Sequence, residues 1–306
     1  MTQPIEFRDV YRHFHRHEVL RGLSFQVRPG EIYALLGRNG EGKTTALRIL
    51  LGFLEPMAGE TSILGVEGRS LSPADRERIG YVSEGHRLYP TMTLRQALTF
   101  ESGTRKRFDR AYAEKCLARL GLKVGQFIQT LSRGQRAQVA LVFAVASEPE
   151  VLVFDDPALG LDVVMRREFL DVMIDLLAER GVSVLFSSHV LTDVERIADR
   201  VGILKDGRLI VDSTIVDLRQ RVERRFWGGG NGTVPPPPEC DGLLRARRTR
   251  DGYQLTLLDF DDRTETSLRS GGTKLSAPVV PSLEDLFFDL TAGDAPAFVS
   301  FSKEDR

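Results

Sequence analysis

The sequence predicts an α/β fold in which strands and helices alternate around a largely parallel sheet. The apolar run EIYALLG, residues 31–37, ends at a glycine-rich turn, and KTTALRILLGFL, residues 43–54, then places apolar side chains at helical spacing. Strand character returns at VLVFDD, residues 151–156, and at VSVLFSS, residues 182–188. Each of these runs precedes a helical stretch, which is typical of parallel-sheet units.

Other elements follow from the same patterns. IEFRDV, residues 5–10, and LSFQVRPG, residues 23–30, indicate short strands ahead of the first helix. The middle of the chain, about residues 91–146, carries three helical patterns: TLRQALTFES, DRAYAEKCLARLGL and RGQRAQVALVFAVAS. We therefore expect a helical subdomain inserted between strands.

Length and charge restrict the class of protein. At about 100 to 200 residues per domain, 306 residues fit one large domain and a smaller one. With 42 basic and 43 acidic residues the formal charge is -1, so we expect no nucleic acid partner bound by bulk electrostatics. No run approaches the roughly 18 apolar residues of a membrane-spanning helix, and the N-terminus lacks a signal-peptide layout. We expect a cytoplasmic chain whose membrane role depends on a partner.

The amino-acid composition of the sequence changes after about residue 218. RQRVERRFWGGGNGTVPPPPE, residues 219–239, combines a charged run, three glycines and four prolines, which favours a linker. The predicted domains are therefore 1–220 for the large domain, 221–239 for the linker and 240–306 for a small C-terminal appendage.

The appendage has its own elements. GYQLTLLDF, residues 252–260, alternates like a strand, and SLEDLFFDLT, residues 282–291, places four apolar side chains on one helical face. Ser282 and Asp285 resemble a capping box with Asp in the Glu position. These patterns predict a small α+β unit.

The segment GRNGEGKTT, residues 37–45, matches the phosphate-binding pattern G-x-x-x-x-G-K-[ST]. Its glycines allow backbone N–H groups to point at phosphate oxygens, and the following helix adds its positive N-terminal dipole. Lys43 supplies a charge for the β- and γ-phosphates, and Thr44 a hydroxyl ligand for Mg²⁺. The predicted nucleotide-binding residues of this loop are Gly37, Asn39, Gly40, Gly42, Lys43, Thr44 and Thr45.

Two carboxylates and a histidine end the later strands. Asp155 would hold Mg²⁺, usually through water, and Asp156 would orient or deprotonate the attacking water. His189, after VSVLFSS, would contact the γ-phosphate and respond to its loss. A helix cap for either acid, and a purely structural role for His189, stay open as alternatives.

The five residues LSRGQ, 131–135, lie ahead of VLVFDD in the position of the LSGGQ signature of ABC transporters. Over roughly residues 5–218 the chain resembles the ATP-binding subunit of that family. The resemblance implies a P-loop NTPase fold of ABC type, with a mixed sheet and flanking helices, an antiparallel β portion and a helical signature subdomain. It also implies ATP hydrolysis with Mg²⁺.

Further roles come from the resemblance alone. Two such domains pair head to tail in the family, so Ser132, Gly134 and Gln135 would bind the γ-phosphate of ATP held by a second subunit. Residues 158–162 look like the D-loop. Phe14 aligns with the aromatic that stacks on adenine, although an aromatic there could also serve packing only.

Three residues depart from the family pattern. Asp156 stands where Glu is usual, and is one methylene shorter. Glu84, in the loop of residues 83–89, replaces a glutamine and places a further carboxylate near Mg²⁺, where it would act as a ligand and in catalysis. Arg133 replaces the first glycine of the signature and would offset part of this negative charge. We expect slow but measurable hydrolysis.

The resemblance also implies partners. These are a polytopic membrane permease and a second ATPase subunit, with the chain peripheral on the inner face of the cell membrane. The segment SEGHRLYPTMT and the appendage ending in SLEDLFFDL resemble the corresponding parts of ATPases that pair with ABC-2-type exporter permeases, which favours export. The alternatives are a soluble ABC ATPase acting on DNA or ribosomes and a weakly hydrolysing regulatory subunit.

Overall fold

The computed structural model describes residues 3–86, 88–228, 236–238, 240–269 and 274–292, and the backbone of 299–300. The chain forms two compact units. The first is Met1–Ala198 with Asp206–Arg208, and the second is Asp199–Lys205 with Leu209–Arg306. These bounds differ from the expected division at residue 220, and the assignment of residues 1–220 to one ATPase domain stays a prediction.

The first unit alternates strands and helices as the sequence patterns predict. Its elements are β1 (Ile5–Phe14), β2 (His17–Val27), β3 (Ile32–Leu36), α1 (Lys43–Leu50), β4 (Ala58–Ile63), β5 (Val66–Glu67), α2 (Pro73–Glu77), β6 (Ile79–Val82), α3 (Leu94–Thr104), α4 (Arg110–Arg119), α5 (Arg133–Ala146), β7 (Val151–Asp155), α6 (Val163–Arg180), β8 (Ser183–Ser188) and α7 (Leu191–Ile197). Helices α3, α4 and α5 lie in the range expected for the helical subdomain.

Two sheets organise the first unit. Strands β2, β1, β4 and β5 form an antiparallel sheet in that order. Strands β3, β8, β7 and β6 are parallel neighbours in that order. All residues of β7 and β8 are buried, including Asp155 and the serines of β8, because a parallel sheet is covered on both faces. The carboxyl ends of β3, β7 and β8 therefore meet at one edge.

The second unit contains β9 (Arg200–Lys205), most of β10 (Arg208–Thr214), α8 (Ile215–Arg221), β11 (Val222–Gly228), β12 (Leu243–Arg248), β13 (Gly252–Leu258), α9 (Asp262–Arg269), β14 (Lys274–Leu275), α10 (Leu283–Thr291) and β15 (Val299–Ser300). Strands β12, β13, β11 and β14 form an antiparallel sheet in that order. Strand β13 and helix α10 correspond to the strand and helix predicted for the appendage.

The linker prediction is wrong for its first part. Val222–Gly228 form β11, which pairs along its whole length with β13, from Val222 opposite Leu258 to Gly228 opposite Gly252. Trp227 of β11 is 2% exposed and belongs to the core of this unit. The charged residues misled the prediction because Glu223 and Arg225 lie on the partly exposed face of a strand, whereas Arg224 is buried and paired with Asp289. Residues 229–235 and 239 of the expected linker lie outside the described residues.

A buried charge cluster attaches α10 to this sheet. Arg224 of β11 donates from Nε to Asp289 Oδ2 at 3.0 Å and forms an ion pair with Asp285 at 2.6 Å. Thr256 also donates to Asp289. Ser282 accepts a hydrogen bond from the Asp285 amide, so it caps α10 as expected.

Within the described part of the chain, no helix combines the length and the apolar character needed to cross a bilayer.

Candidate functional site

A cleft of about 410 Å³ lies where the phosphate loop joins β3 to α1. It also reaches the carboxyl ends of β7 and β8. Its lining residues are Phe14, Val19, Asn39, Gly40, Gly42, Lys43, Thr44, Thr45, Glu84, Asp155, Asp156, Leu159 and Ser187. Most of the loop residues and both acids singled out from the sequence therefore lie together.

The backbone of the phosphate loop requires glycine at two positions. Gly40 and Gly42 have φ angles of 91° and 105°, in the left-handed region that favours glycine. A Cβ on Gly42 would also lie 2.9 Å from the Val19 carbonyl oxygen and 2.9 Å from the Leu20 side chain. A bulkier residue would push the loop away from β2, so the sequence builds an open cradle at the N-terminus of α1.

The side chain of Lys43 folds back and forms hydrogen bonds with the start of its own loop. Its Nζ donates to the carbonyl oxygens of Gly37 at 2.6 Å and Arg38 at 3.1 Å. The side chain is 7% exposed, and burial lowers the pKa of Lys43, although the charges of Asp156 and Asp155 oppose this shift. The ammonium group thus lies in the cradle, where its N–H groups could donate hydrogen bonds to phosphate oxygens.

Thr44, Asp155 and Ser187 form a hydrogen-bonded chain. The hydroxyl groups of Thr44 and Ser187 both donate to Asp155 Oδ1, at 2.9 and 3.0 Å. Asp155 is 3% exposed and Ser187 is fully buried. The register of β7 and β8 places Asp155 opposite Ser187, so the contact follows from the sheet. Carboxylate and hydroxyl oxygens are ligands that suit Mg²⁺, which uses few protein ligands and keeps waters or phosphates for the rest.

Ser187 was missed by the sequence analysis. It binds Asp155 and also accepts a hydrogen bond from the Asp156 amide at 3.0 Å. A polar residue near the end of an otherwise apolar strand was the available signal. Its partner could not be identified, because the pairing of β7 with β8 is not visible in a single sequence.

Asp156 is held in an unusual backbone conformation. Its φ angle is 47°, which is uncommon for a residue with a side chain. Its Oδ2 lies 2.5 Å from His189 Nδ1. Burial raises the pKa of Asp156, while the neighbouring charges of His189 and Lys43 work in the opposite direction. The helix-cap alternative finds no support for either acid, because α6 is capped by Asp162, which accepts from the Met165 amide at 2.9 Å.

The loop with Glu84 closes one side of the cleft. Gly85 and His86 both have left-handed backbones, with φ angles of 81° and 47°. His86 is buried, and its Nε2 lies 2.6 Å from the Pro157 carbonyl oxygen. Glu84 was identified from the sequence, whereas His86 was not.

Phe14 ends β1 at the rim of the cleft. Its side chain is 41% exposed, so the ring is not buried by packing. The guanidinium carbon of Arg12 lies 4.8 Å from the ring centroid, and Arg12 also donates to the Glu55 carbonyl oxygen at 3.0 Å. A cation on one face of the ring leaves an aromatic surface on which a planar base could stack.

The residues of the LSRGQ segment do not line this cleft. Ser132 and Gln135 form a capping box at the start of α5, in which each side chain accepts from the other's amide, at 3.1 and 2.9 Å. A Cβ on Gly134 would lie 3.2 Å from Met165, so a glycine lets α5 approach α6 closely. These residues form a second, separate group on the first unit.

A larger hollow of about 580 Å³ lies over the antiparallel sheet and contains none of the residues singled out from the sequence. Arg8 there is paired with Glu6 and Glu60, at 2.7 and 3.1 Å. Its lining carries more acidic than basic side chains, so it is a poor site for a phosphate group.

Comparison with known proteins gives a consistent result. Residues 20–159 match the family model described as ABC transporter. The chain is 37% identical to the Nod factor export ATP-binding protein I of Burkholderia orbicola, with 68% of this chain and 70% of that protein aligned. It is 32% identical to the protein of the same name from Rhizobium etli over 94% of this chain and 93% of that protein.

Solved structures agree with these relatives. One described as the ATP-binding subunit of an ABC transporter has a TM-score of 0.62 and 31% sequence identity. The match covers 72% of this chain and 92% of that chain.

Proposed function

This chain belongs to the ATP-binding subunits of ABC transporters and is an ATPase, and we propose that it hydrolyses Mg·ATP in the cleft around Lys43 to drive a separate membrane permease. The observation that carries the proposal is the convergence of Lys43, Thr44, Asp155 and Asp156 in one cleft. These are the charges and ligands that a triphosphate and its metal require.

The phosphate loop and its lysine would bind the triphosphate. Lys43 would exchange its two carbonyl partners for β- and γ-phosphate oxygens, which are stronger acceptors. Thr44 and Asp155 would hold Mg²⁺, with Ser187 fixing the carboxylate of Asp155. When bound, Mg²⁺ neutralises charge on the β- and γ-phosphates. Glu84 lines the same cleft and would add a further ligand.

Asp156 and His189 would act on the attacking water. Asp156 would accept a proton from this water. His189, whose Nδ1 lies 2.5 Å from the Asp156 carboxylate, would orient that carboxylate and contact the γ-phosphate. Because Asp is one methylene shorter than Glu, the carboxylate reaches less far from β7. This is the physical reason to expect slow turnover, and it keeps a weakly hydrolysing regulatory subunit as the second candidate function.

Phe14 would stack on the adenine base. Its exposure and the cation on one face support this role. The ring lies at the rim of the cleft that contains the phosphate loop, so one nucleotide could contact both. Replacing Phe14 would therefore raise the KM for ATP more than it lowers kcat.

A second copy of the chain would complete the site. Ser132, Gly134 and Gln135 lie at the N-terminus of α5, outside the cleft of their own subunit, where the positive end of the helix dipole attracts an anion. Val163 and Val164 at the start of α6 are 82% and 68% exposed. Two exposed apolar residues there favour burial against another protein surface.

The permease would contact the surface near the Glu84 loop. Tyr89 and Phe100 are 54% and 39% exposed, and their rings form an edge-to-face pair with centroids 5.3 Å apart. Phe53 is 58% exposed. Such aromatics are enriched in interfaces. The chain would then work from the cytoplasmic face of the membrane, and the export named for its relatives favours export here.

Co-purification tests the partner directly. The full chain, carrying an affinity tag, is expressed in its native cells and recovered from detergent-solubilised membranes. A polytopic membrane protein in stoichiometric amount, with ATP turnover in the complex, is the expected result. Recovery with ribosomes or DNA alone would favour the soluble ABC ATPase alternative. A complex that binds ATP but turns over no faster than its Asp156→Asn variant would favour the regulatory subunit.

A further inference from the structure

The loop after β6 contains a buried histidine to which the proposed mechanism gives no role. His86 is 7% exposed, and its ring centroid lies 6.2 Å from that of Phe169 in α6. Its Nε2 lies 2.6 Å from the carbonyl oxygen of Pro157. Since a carbonyl oxygen only accepts, the imidazole donates through Nε2–H in this contact.

This hydrogen bond joins two segments of the site. Glu84 lies two residues before His86, and Pro157 directly follows Asp156. No other side-chain hydrogen bond among the described contacts joins residues 83–86 to residues 155–157. A single donor, His86 Nε2–H, thus holds the loop that carries Glu84 against the backbone that follows Asp156.

The conformation of the loop depends on such a restraint. Gly85 and His86 are both left-handed, and the His86 amide donates to the Ser83 carbonyl oxygen at 3.2 Å. A residue with a side chain is costly in this region and persists where the surroundings hold it in place. The buried ring and its hydrogen bond provide that support.

We propose that His86 is a positioning residue for ATP hydrolysis, whose Nε2–H bond to the Pro157 carbonyl oxygen fixes the Glu84 loop against the backbone that follows Asp156. The inference rests on the proposed function, because it takes Glu84 and Asp156 to act on Mg·ATP. Without the bond, both carboxylates would shift relative to the nucleotide. A displacement of about 1 Å can cost as much as 100-fold in rate.

Three variants separate the hydrogen bond from the backbone. His86→Leu fills the buried site with an apolar side chain that has no donor. His86→Gln places an amide nitrogen at the same number of bonds from Cα as Nε2, and is as strained as Leu in the left-handed region. His86→Asn adopts that region more readily, but its amide reaches only as far as Nδ1. Steady-state ATP hydrolysis by the full chain is measured for all three, with thermal unfolding to verify the fold.

We expect His86→Leu and His86→Asn to lower kcat at least tenfold with the KM for ATP changed less than threefold. His86→Gln should keep kcat within about threefold of the wild type. Wild-type kcat in His86→Leu would overturn the proposal. So would rescue by Asn and not by Gln, since the backbone conformation would then be the reason for a histidine here. If the Leu variant fails to fold, the comparison of Gln with Asn still decides the question.

Hydrogen exchange gives a measure that needs no turnover. The amide of residue 86 should exchange at least tenfold faster in the Leu and Asn variants and at the wild-type rate in the Gln variant. Equal exchange in all four proteins would contradict the proposal that the His86 hydrogen bond holds this loop in place. If the four proteins show this exchange pattern but the wild type does not hydrolyse Mg·ATP, the proposed function alone is contradicted.

Discussion

Ser187 offers a sharp test of the site, because one hydroxyl group supports both acids. It donates to Asp155 Oδ1 at 3.0 Å and accepts from the Asp156 amide at 3.0 Å. The residue is fully buried, so bulk water does not replace these contacts. Ser187→Ala removes one oxygen atom, leaves Thr44 as the remaining hydroxyl donor to Asp155 Oδ1 and deprives the Asp156 amide of its acceptor.

The size of the effect follows from the two bonds. A hydrogen bond to a charged group is worth about 1.5 to 3 kcal/mol, and one between neutral groups about 0.5 to 1.5 kcal/mol. Together they amount to about 2 to 4.5 kcal/mol. If the loss falls on the transition state, turnover drops about 30-fold to 2,000-fold, since each 1.36 kcal/mol is a factor of ten.

Ser183→Ala is the matched control. Ser183 lies in the same strand, is also buried and accepts a hydrogen bond from the Gly30 amide at 2.8 Å, but it does not line the cleft. Steady-state hydrolysis should be at least tenfold slower in Ser187→Ala than in Ser183→Ala, with both proteins folded by circular dichroism. Equal rates within twofold would refute the role given to the Asp155 and Asp156 contacts.

The other expected outcomes concern the base, the second unit and one surface ion pair. Asp156→Asn should lower kcat at least 100-fold at saturating ATP, because general base catalysis contributes about 10² to 10⁴; turnover at the wild-type rate would exclude Asp156 as the base. Arg224→Met should destabilise the second unit by about 3 to 5 kcal/mol, because it leaves Asp289 buried and unpaired. Urea unfolding followed by the fluorescence of Trp227, the single tryptophan, measures this, and an unchanged midpoint would contradict it. Two hydrogen bonds from Arg78 and a third from Arg107 lower the pKa of Glu150 to about 2. The stabilisation is therefore complete above the ordinary carboxyl pKa and is lost as the pH falls toward about 2. Because both groups are partly exposed, Glu150→Gln should cost at most about 1 kcal/mol at pH 7 and nothing near pH 2, as urea unfolding at the two pH values would determine.

Local patterns were sufficient to predict the central fold and much of the cleft. The apolar centres of β7 and β8 indicated buried parallel strands, and acids at the end of β7 were expected at the ligand edge of such a sheet. The spacing of glycines before Lys43 predicted the loop, since the motif and its backbone requirement are both local. Thus Lys43, Thr44, Asp155 and Asp156 could be grouped without coordinates.

Features that depend on distant pairing could not be predicted in this way. Val222–Gly228 reads as a charged linker because its partner strand, β13, lies some 30 residues further along. Ser187 and His86 contact residues 32 and 71 positions away in the chain. Asp285 was expected beside the Ser282 cap, but its ion pair with Arg224 of another element could not be foreseen. In each case the deciding contact is tertiary.

The most direct test of the account is ATP hydrolysis by the full chain compared with its Lys43→Met variant, with and without Mg²⁺. Met keeps the length and packing of the buried stem but removes the charge that the cradle presents to phosphate. The account predicts Mg²⁺-dependent turnover in the wild type and at least 100-fold less in the variant. Equal turnover in the two proteins would contradict it, because the chemistry would then lie outside this cleft.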